Sequence, residues 1–206
     1  MTTPEFLYFD LGKVLVTFSG ERMFRQVAEV SGVDAAVVKD LIYHGGLQRD
    51  LELGRITGRE FYESFRRRTG TRVDYLALER AGSNIFELNY PILPLVSGLR
   101  RAGYRLGILS NTCESHWEHC RAKFTLVGEL FGAAALSCRI GAMKPDAAIF
   151  QAAAELAGCR PQEIFFVDDL PEHVAGARAV GFDAVQYTTT AVLASELRRR
   201  GLRFNY

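Results

Sequence analysis

Phe6-Leu7-Tyr8-Phe9-Asp10-Leu11-Gly12-Lys13-Val14 is the stretch whose reading decides the fold. An apolar run, Phe6–Phe9, stops at an aspartate. A continuous apolar run of this length suits a strand buried on both faces. Similar runs recur at Tyr104–Leu109, Ala133–Leu136 and Ile164–Val167, with a weaker one at Ala184–Tyr187. Helical patterns lie between them at Pro94–Ala102, Asp146–Ala157 and Pro171–Val180. Each is followed by a glycine, Gly103, Gly158 and Gly181. Proline in a first turn and glycine just past the end are start and stop signals. Strand–helix alternation of this kind predicts an α/β fold, a Rossmann-like parallel sheet with helices on both faces.

Between Phe18 and about Asn89 the alternation is interrupted. The sequence predicts helices only there, at Glu21–Val30, Asp34–Tyr43, Gly58–Arg68 and Asp74–Phe86, punctuated by Gly45-Gly46, Gly54 and Gly70. The expected organisation is a core of residues 1–17 and 90–206, with a small all-helical cap, 18–89, inserted after the first strand. The 48% hydrophobic and 24% charged content of the 206 residues excludes disorder, collagen and coiled coil. A net charge of +1 gives no electrostatic footprint for nucleic acid. No apolar run approaches the roughly 20 residues that span a bilayer. Met1–Pro4 carry no basic leader region, and Cys113, Cys120, Cys138 and Cys159 form no C-x-x-C pair. A cytoplasmic protein with reduced thiols is the expectation, as a monomer or a homodimer.

Ligands of open parallel sheets bind at the carboxyl ends of the strands. Here those ends carry Asp10, Ser110-Asn111 and Asp168-Asp169. Lys144, in Gly141-Ala142-Met143-Lys144-Pro145-Asp146, is one of only four lysines against 21 arginines, so its place before a helix is not filler. Taken singly, an aspartate or serine after a strand is ordinarily a turn or cap residue. Delivered together to one sheet edge, they suggest chemistry. Several carboxylates repel one another unless a cation joins them. Oxygen-only ligands favour Mg²⁺ with a phosphate oxygen, and a lysine adds a point charge for an anionic substrate. One aspartate can then serve as a nucleophile, and phosphoryl transfer mostly needs positioning and charge neutralisation.

These residues resemble the haloacid dehalogenase-like hydrolases over nearly the whole chain, with four motifs in order. They are Phe9-Asp10-Leu11-Gly12-Lys13-Val14, then Leu109-Ser110-Asn111-Thr112, then Lys144-Pro145-Asp146 with Ile149-Phe150. The fourth is Phe166-Val167-Asp168-Asp169, followed by Gly176-Ala177 and Gly181. The early helical insert is similar to the family's small helical cap. Within the family the chain most resembles the α-glucose-1-phosphate phosphatase-like group, through its Asp-Leu-Gly, Ser-Asn-Thr…His and Asp-Asp motifs.

The resemblance implies that Asp10 is the nucleophile that becomes an aspartyl-phosphate. It implies Mg²⁺ held by the Asp10 carboxylate, the Gly12 carbonyl and Asp169, with Asp168 close by. Ser110 and the Asn111 backbone would bind phosphoryl oxygens, and Lys144 would neutralise charge. The implied activity is Mg²⁺-dependent hydrolysis of a small phosphorylated metabolite such as a hexose 1-phosphate. The alternatives are a haloacid dehalogenase-type hydrolase, or a non-catalytic binding protein on the same fold.

Two positions depart from the family pattern. Most family phosphatases carry a second aspartate where this chain has Gly12, and proton transfer of that kind is worth about 10²–10⁴ in rate. A substrate with a good leaving group, a sugar anomeric oxygen or an acyl phosphate, is therefore expected, with Lys13 or His44 as other proton sources. His173 stands where the related group often has asparagine, either beside the metal ligands or merely at a helix start. Lys13, His44 and Arg49 join Ser110, Asn111 and Lys144 as substrate-binding candidates, and Gln48 and Glu52 as further specificity candidates. His116, His119 and Cys120 are expected to be structural or substrate-facing rather than a zinc site. The runs Arg66–Arg68 and Arg198–Arg200 are read as solvated helix faces.

Overall fold

A computed structural model describes residues 3–206, so the first two positions of the expected core segment lie outside the described residues. The apolar runs become β1 (Phe6–Phe9), β4 (Arg105–Ser110), β5 (Ala133–Leu136), β6 (Ile164–Asp168) and β7 (Asp183–Gln186). They form one parallel sheet in the order β5-β4-β1-β6-β7. β1 and β5 match their sequence-read bounds, whereas β4 and β7 are displaced by one residue. Charged residues start both displaced strands because their heads are partnered at the sheet edge. Arg105 donates to the Ala157 carbonyl and lies 4.9 Å over the Phe6 ring, and Asp183 pairs with Arg200.

Two further strands, β2 (Val16–Phe18) and β3 (Phe86–Leu88), form an antiparallel ribbon. The inserted segment runs between them as α1 (Gly20–Ser31), α2 (Ala35–Lys39), α3 (Leu47–Glu52), α4 (Gly58–Thr69) and α5 (Tyr75–Ser83). The core helices are α6 (Leu93–Arg101), α7 (Glu114–Lys123), α8 (Thr125–Glu129), α9 (Ser137–Ile140), α10 (Ala147–Ala157), α11 (Pro171–Val180) and α12 (Thr190–Arg199).

Alternation along β1 builds the layers. Leu7 and Phe9 enter one core with Leu95 and Leu99 of α6 and Leu193 and Leu197 of α12. Phe6 and Tyr8 enter the other with Ile149 and Phe150 of α10 and Val174 of α11. The one polar atom of that second set is satisfied, since the Tyr8 hydroxyl donates to the Ala153 carbonyl at 2.8 Å. With both faces covered, only the strand ends are left to carry a site.

Three sequence expectations need correction. The insert is not helical throughout, because α5 stops at Ser83 and residues 86–88 pair with 16–18. Phe86 lies opposite Phe18, their rings 6.1 Å apart, and this cross-strand pair closes the two ends of the insert together. The helix expected at Asp34–Tyr43 breaks after Lys39 into a wider turn, Asp40–His44, and the short α3 follows the glycines after it. Arg200 is not on a solvated face: it is 8% exposed and paired with both Asp183 and Glu196.

Candidate active site

β4, β1 and β6 are neighbours, so their carboxyl ends stand side by side. Asp10 follows β1, Ser110 closes β4 and Asp168 closes β6. The Asp10 N–H continues the ladder to the Val167 carbonyl at 2.9 Å, and its Oδ1 accepts the Leu11 N–H at 2.7 Å. Asp10 is therefore fixed at the sheet edge before any ligand arrives.

Lys144 reaches the same point from the loop before α10. Its ammonium lies 2.9 Å from Asp10 Oδ1 and 2.6 Å from Asp168 Oδ2, and donates to the Leu109 carbonyl at 3.1 Å. All three of its donors are engaged. Asn111 anchors the lysine's backbone by a reciprocal pair, accepting the Lys144 N–H at 2.8 Å and donating to its carbonyl at 3.0 Å. The Asn111 side chain thus holds the Lys144 loop, which leaves the Asn111 backbone for a ligand.

Asp168 is fully buried and accepts from Lys144, from the Leu170 N–H at 2.9 Å and from His173 Nδ1 at 3.0 Å. His173 therefore sits on an acidic partner inside the site, and with Asp168 ionised its Nδ1 carries the proton.

The charges are unbalanced. Burial pushes Asp10 up to about 6, against the pull of Lys144 and with the added repulsion of Asp168. Burial also raises Asp168, but the His173 and Lys144 contacts outweigh it and hold the carboxyl below its usual range. Burial and the Asp168 charge lift Asp169. Burial opposes the charge of Lys144, and the two aspartates outweigh that and hold it above its ordinary value. Carboxylate oxygens of Asp10, Asp168 and Asp169 lie within 4.8 Å of one another, the one such cluster among the described residues. An all-oxygen set with three carboxylates and one ammonium fits a hard divalent cation. Because the oxygens of Asp168 are already engaged, Asp10 and Asp169 are the carboxylates free to hold it.

A cavity of about 80 Å³ joins this edge to the inserted segment. Gly12, Ser110 and Asn111 line it from the core, and Phe18, Gln48 and Glu52 from the insert. His44 and Arg49 stay outside. His44 faces solvent beside Asp40 at 3.1 Å, and Arg49 is exposed. Gln48 and Glu52 are four residues apart on one face of α3, while Arg49 is turned about 100° from Gln48. Lys13 is exposed at φ 60°, with its Nζ 5.6 Å from the Phe18 ring centre. A Cβ on Gly12 would stand 3.0 Å from Phe18 Cε1, so the phenyl ring occupies the space beside Gly12. His116 lines the cavity with Nε2 on the Gly82 carbonyl at 3.2 Å. It forms no metal cluster with His119 and Cys120 among the described residues.

One contributor is invisible to sequence reasoning. The Ser137 hydroxyl donates to the Glu52 carbonyl at 2.6 Å and accepts the Thr112 N–H at 2.9 Å. It joins the insert to the loop after β4. A serine at a strand end carries no signal of that partnership.

Comparison with known proteins agrees with this layout. A phosphatase of Mycobacterium tuberculosis is 28% identical over 198 residues, covering 85% of this chain and 83% of that protein. A D-ribitol-5-phosphate phosphatase of Bacteroides thetaiotaomicron is 25% identical over 198 residues, covering 93% and 95%. Among solved structures, a haloacid dehalogenase-family enzyme of Bacteroides thetaiotaomicron in complex with magnesium and inorganic phosphate superposes with a TM-score of 0.81. It is 26% identical and covers 90% of this chain and 95% of its own. A predicted hydrolase of the same family from Porphyromonas gingivalis gives 0.82 at 27% identity, covering 96% and 99%. The haloacid dehalogenase-like hydrolase profile matches residues 9–181, from the residue before Asp10 to the glycine that ends α11, and the chain belongs to that family.

Proposed function

We propose that this chain is a Mg²⁺-dependent phosphatase that passes the phosphoryl group of a small phosphorylated metabolite to Asp10 and then to water. The observation that carries the reading is the Asp10–Lys144–Asp168 contact beside Ser110, with Asp169 completing an acidic cluster. The phosphatase names of the two relatives and the magnesium and phosphate of the solved neighbour support it. In this reading residues 18–89 act as the cap over the core of 1–17 and 90–206.

Asp10 and Asp169, with the Gly12 carbonyl, would hold Mg²⁺, which when bound supplies positive charge for the phosphoryl oxygens and the two carboxylates. Lys144 holds Asp10 through Oδ1 and leaves Oδ2 free to attack phosphorus in line with the leaving oxygen. The Ser110 hydroxyl and the Asn111 N–H take phosphoryl oxygens as charge spreads over them. The Asp10–phosphorus bond forms as the bond to the leaving oxygen breaks. Water then releases phosphate and restores the Asp10 carboxylate. The substrate expectation is a sugar phosphate such as a hexose 1-phosphate, carried by the resemblance of the Asp-Leu-Gly, Ser-Asn-Thr…His and Asp-Asp motifs to the α-glucose-1-phosphate phosphatase-like group.

The test is phosphate release from a panel of hexose 1- and 6-phosphates, D-ribitol 5-phosphate, acetyl phosphate and p-nitrophenyl phosphate. It is run with Mg²⁺ or chelator, and Asp10→Asn is the control. Mg²⁺-dependent release that the control loses is expected, and the ranking names the substrate. Release equal to the control overturns the reading, and metal-free halide release from 2-haloacids would replace it.

A further inference from the structure

Glu52 is a carboxylate that lines this cavity without belonging to the aspartate cluster. Its backbone is pinned to the core in two ways. Its carbonyl accepts the Ser137 hydroxyl at 2.6 Å. Two residues on, Gly54, at φ 66°, lies so close to the Cys138 carbonyl that a Cβ there would fall 2.1 Å from its oxygen. Only glycine allows that approach. The end of α3 is thereby seated on the first turn of α9, next to the Thr112 loop.

The side chain is prepared as well. Oε1 accepts from Gln48 Nε2 at 2.7 Å, and Oε2 has no hydrogen bond among the described residues. Burial lifts the carboxyl above its ordinary range, against the Gln48 contact and the charge of His116. The other proton sources fail on geometry. His44 is outside the cavity and Lys13 is exposed beside Phe18. His116 spends its Nε2 proton on the Gly82 carbonyl, and burial favours its neutral ring, so Nδ1 has no proton to give. Phe18 fills the space beside Gly12, and Glu52 is the one carboxyl among the residues that line the cavity.

We propose that Glu52, delivered by the inserted segment, is the general acid and base of the reaction. This rests on the phosphatase reading above. As Asp10 Oδ2 bonds to phosphorus and the ester P–O bond breaks, the Glu52 carboxyl gives its proton to the departing oxygen, which leaves as an alcohol. The resulting carboxylate takes a proton from the water that attacks the aspartyl-phosphate. Phosphate departs, the Asp10 carboxylate is restored and Glu52 is again protonated. With an acid in place, alkyl phosphates become substrates beside those with activated leaving groups.

The experiment compares kcat/KM of the full-length protein with Mg²⁺ for D-ribitol 5-phosphate, whose alkoxide needs a proton, and p-nitrophenyl phosphate, whose phenolate does not. Glu52→Gln keeps an acceptor for Gln48 but has no acidic proton, and Glu52→Ala is the second variant. Both are expected to lose about 10²–10⁴-fold on the alkyl ester and less than about tenfold on the aryl ester. The retained aryl activity reports that the site is intact. Equal losses on the two esters, or no loss, would overturn the role of Glu52 while leaving the phosphatase standing. So would a wild-type protein that cleaves the aryl ester but no alkyl ester on the panel. A wild-type protein inactive on every phosphate overturns the phosphatase reading itself.

Discussion

The sheet edge and the inserted segment meet across one small cavity, yet they are built differently. On the sheet side, Lys144 touches Asp10, Asp168 and the Leu109 carbonyl, and Asp168 adds His173 and Leu170. On the insert side, Glu52 has one side-chain partner and is positioned through its backbone. A heavily tied group keeps its place and charge with or without substrate. A lightly tied carboxyl is able to change protonation, which a proton donor requires. The difference suggests a division of labour, with phosphoryl chemistry on the sheet and the leaving group handled by the insert.

The largest effect that would break this comparison comes from Asp10→Asn. Phosphate release is expected to fall to background, while the folded protein gains stability. Native Asp10 holds its proton up to about pH 6, whereas the unfolded residue releases it near its ordinary value of 3.8. The native state thus binds more protons in that window, and stability falls as pH rises through it. In chelator, Asp10→Asn should remove that slope and unfold at higher urea above pH 6, by about 3 kcal/mol. A variant that is inactive and also less stable at pH 7 would show that Asp10 is not a strained group.

Lys144→Met comes next. It leaves carboxylates facing one another in a buried site and should cost about 3 kcal/mol in urea unfolding, within the range for breaking a buried pair. Activity should fall by about 10²–10³-fold as a phosphoryl-side charge is lost. Loss of activity with unchanged stability would show that the lysine is not holding the edge together.

Ser137→Ala sharpens the other side. It strands the Thr112 N–H and the Glu52 carbonyl, each about as costly as a lost buried hydrogen bond, for a total of about 1–2 kcal/mol. The alkyl-to-aryl kcat/KM ratio should drop with it, because Glu52 loses its seat. The smallest effects belong to His44→Ala and Arg49→Ala. Both side chains lie outside the cavity, so stability should stay within about 0.5 kcal/mol and kcat/KM within roughly twofold. A larger loss in either would place the substrate beyond the cavity described.

Most of the sheet side was legible in the sequence. β1 and β5 fell at their read positions because apolar runs buried on both faces declare themselves, and the polar residues after them mark the edge. The insert was less legible for specific reasons. α3 is six residues between glycines, too short for a helical period to register. β3 has three residues that continue the apolar pattern of α5, and only its pairing with Val16–Phe18 makes it a strand. Gln48 and Glu52 stand beside His44 and Arg49 in the sequence, and only the face of α3 separates the two pairs. The reach of Ser137 to Glu52 spans 85 positions in sequence and leaves no local trace.

The Ser137 hydroxyl has one more consequence, in the currency of linked equilibria. A single oxygen serves both the Thr112 N–H, beside the proposed phosphoryl-binding residues, and the seat of α3. If phosphate on that loop stabilises the seated helix by some factor, the seated helix must raise phosphate affinity by the same factor. Amide exchange in 47–54 and the affinity for inorganic phosphate are then two readings of one coupling constant, and a change at position 137 must alter both together.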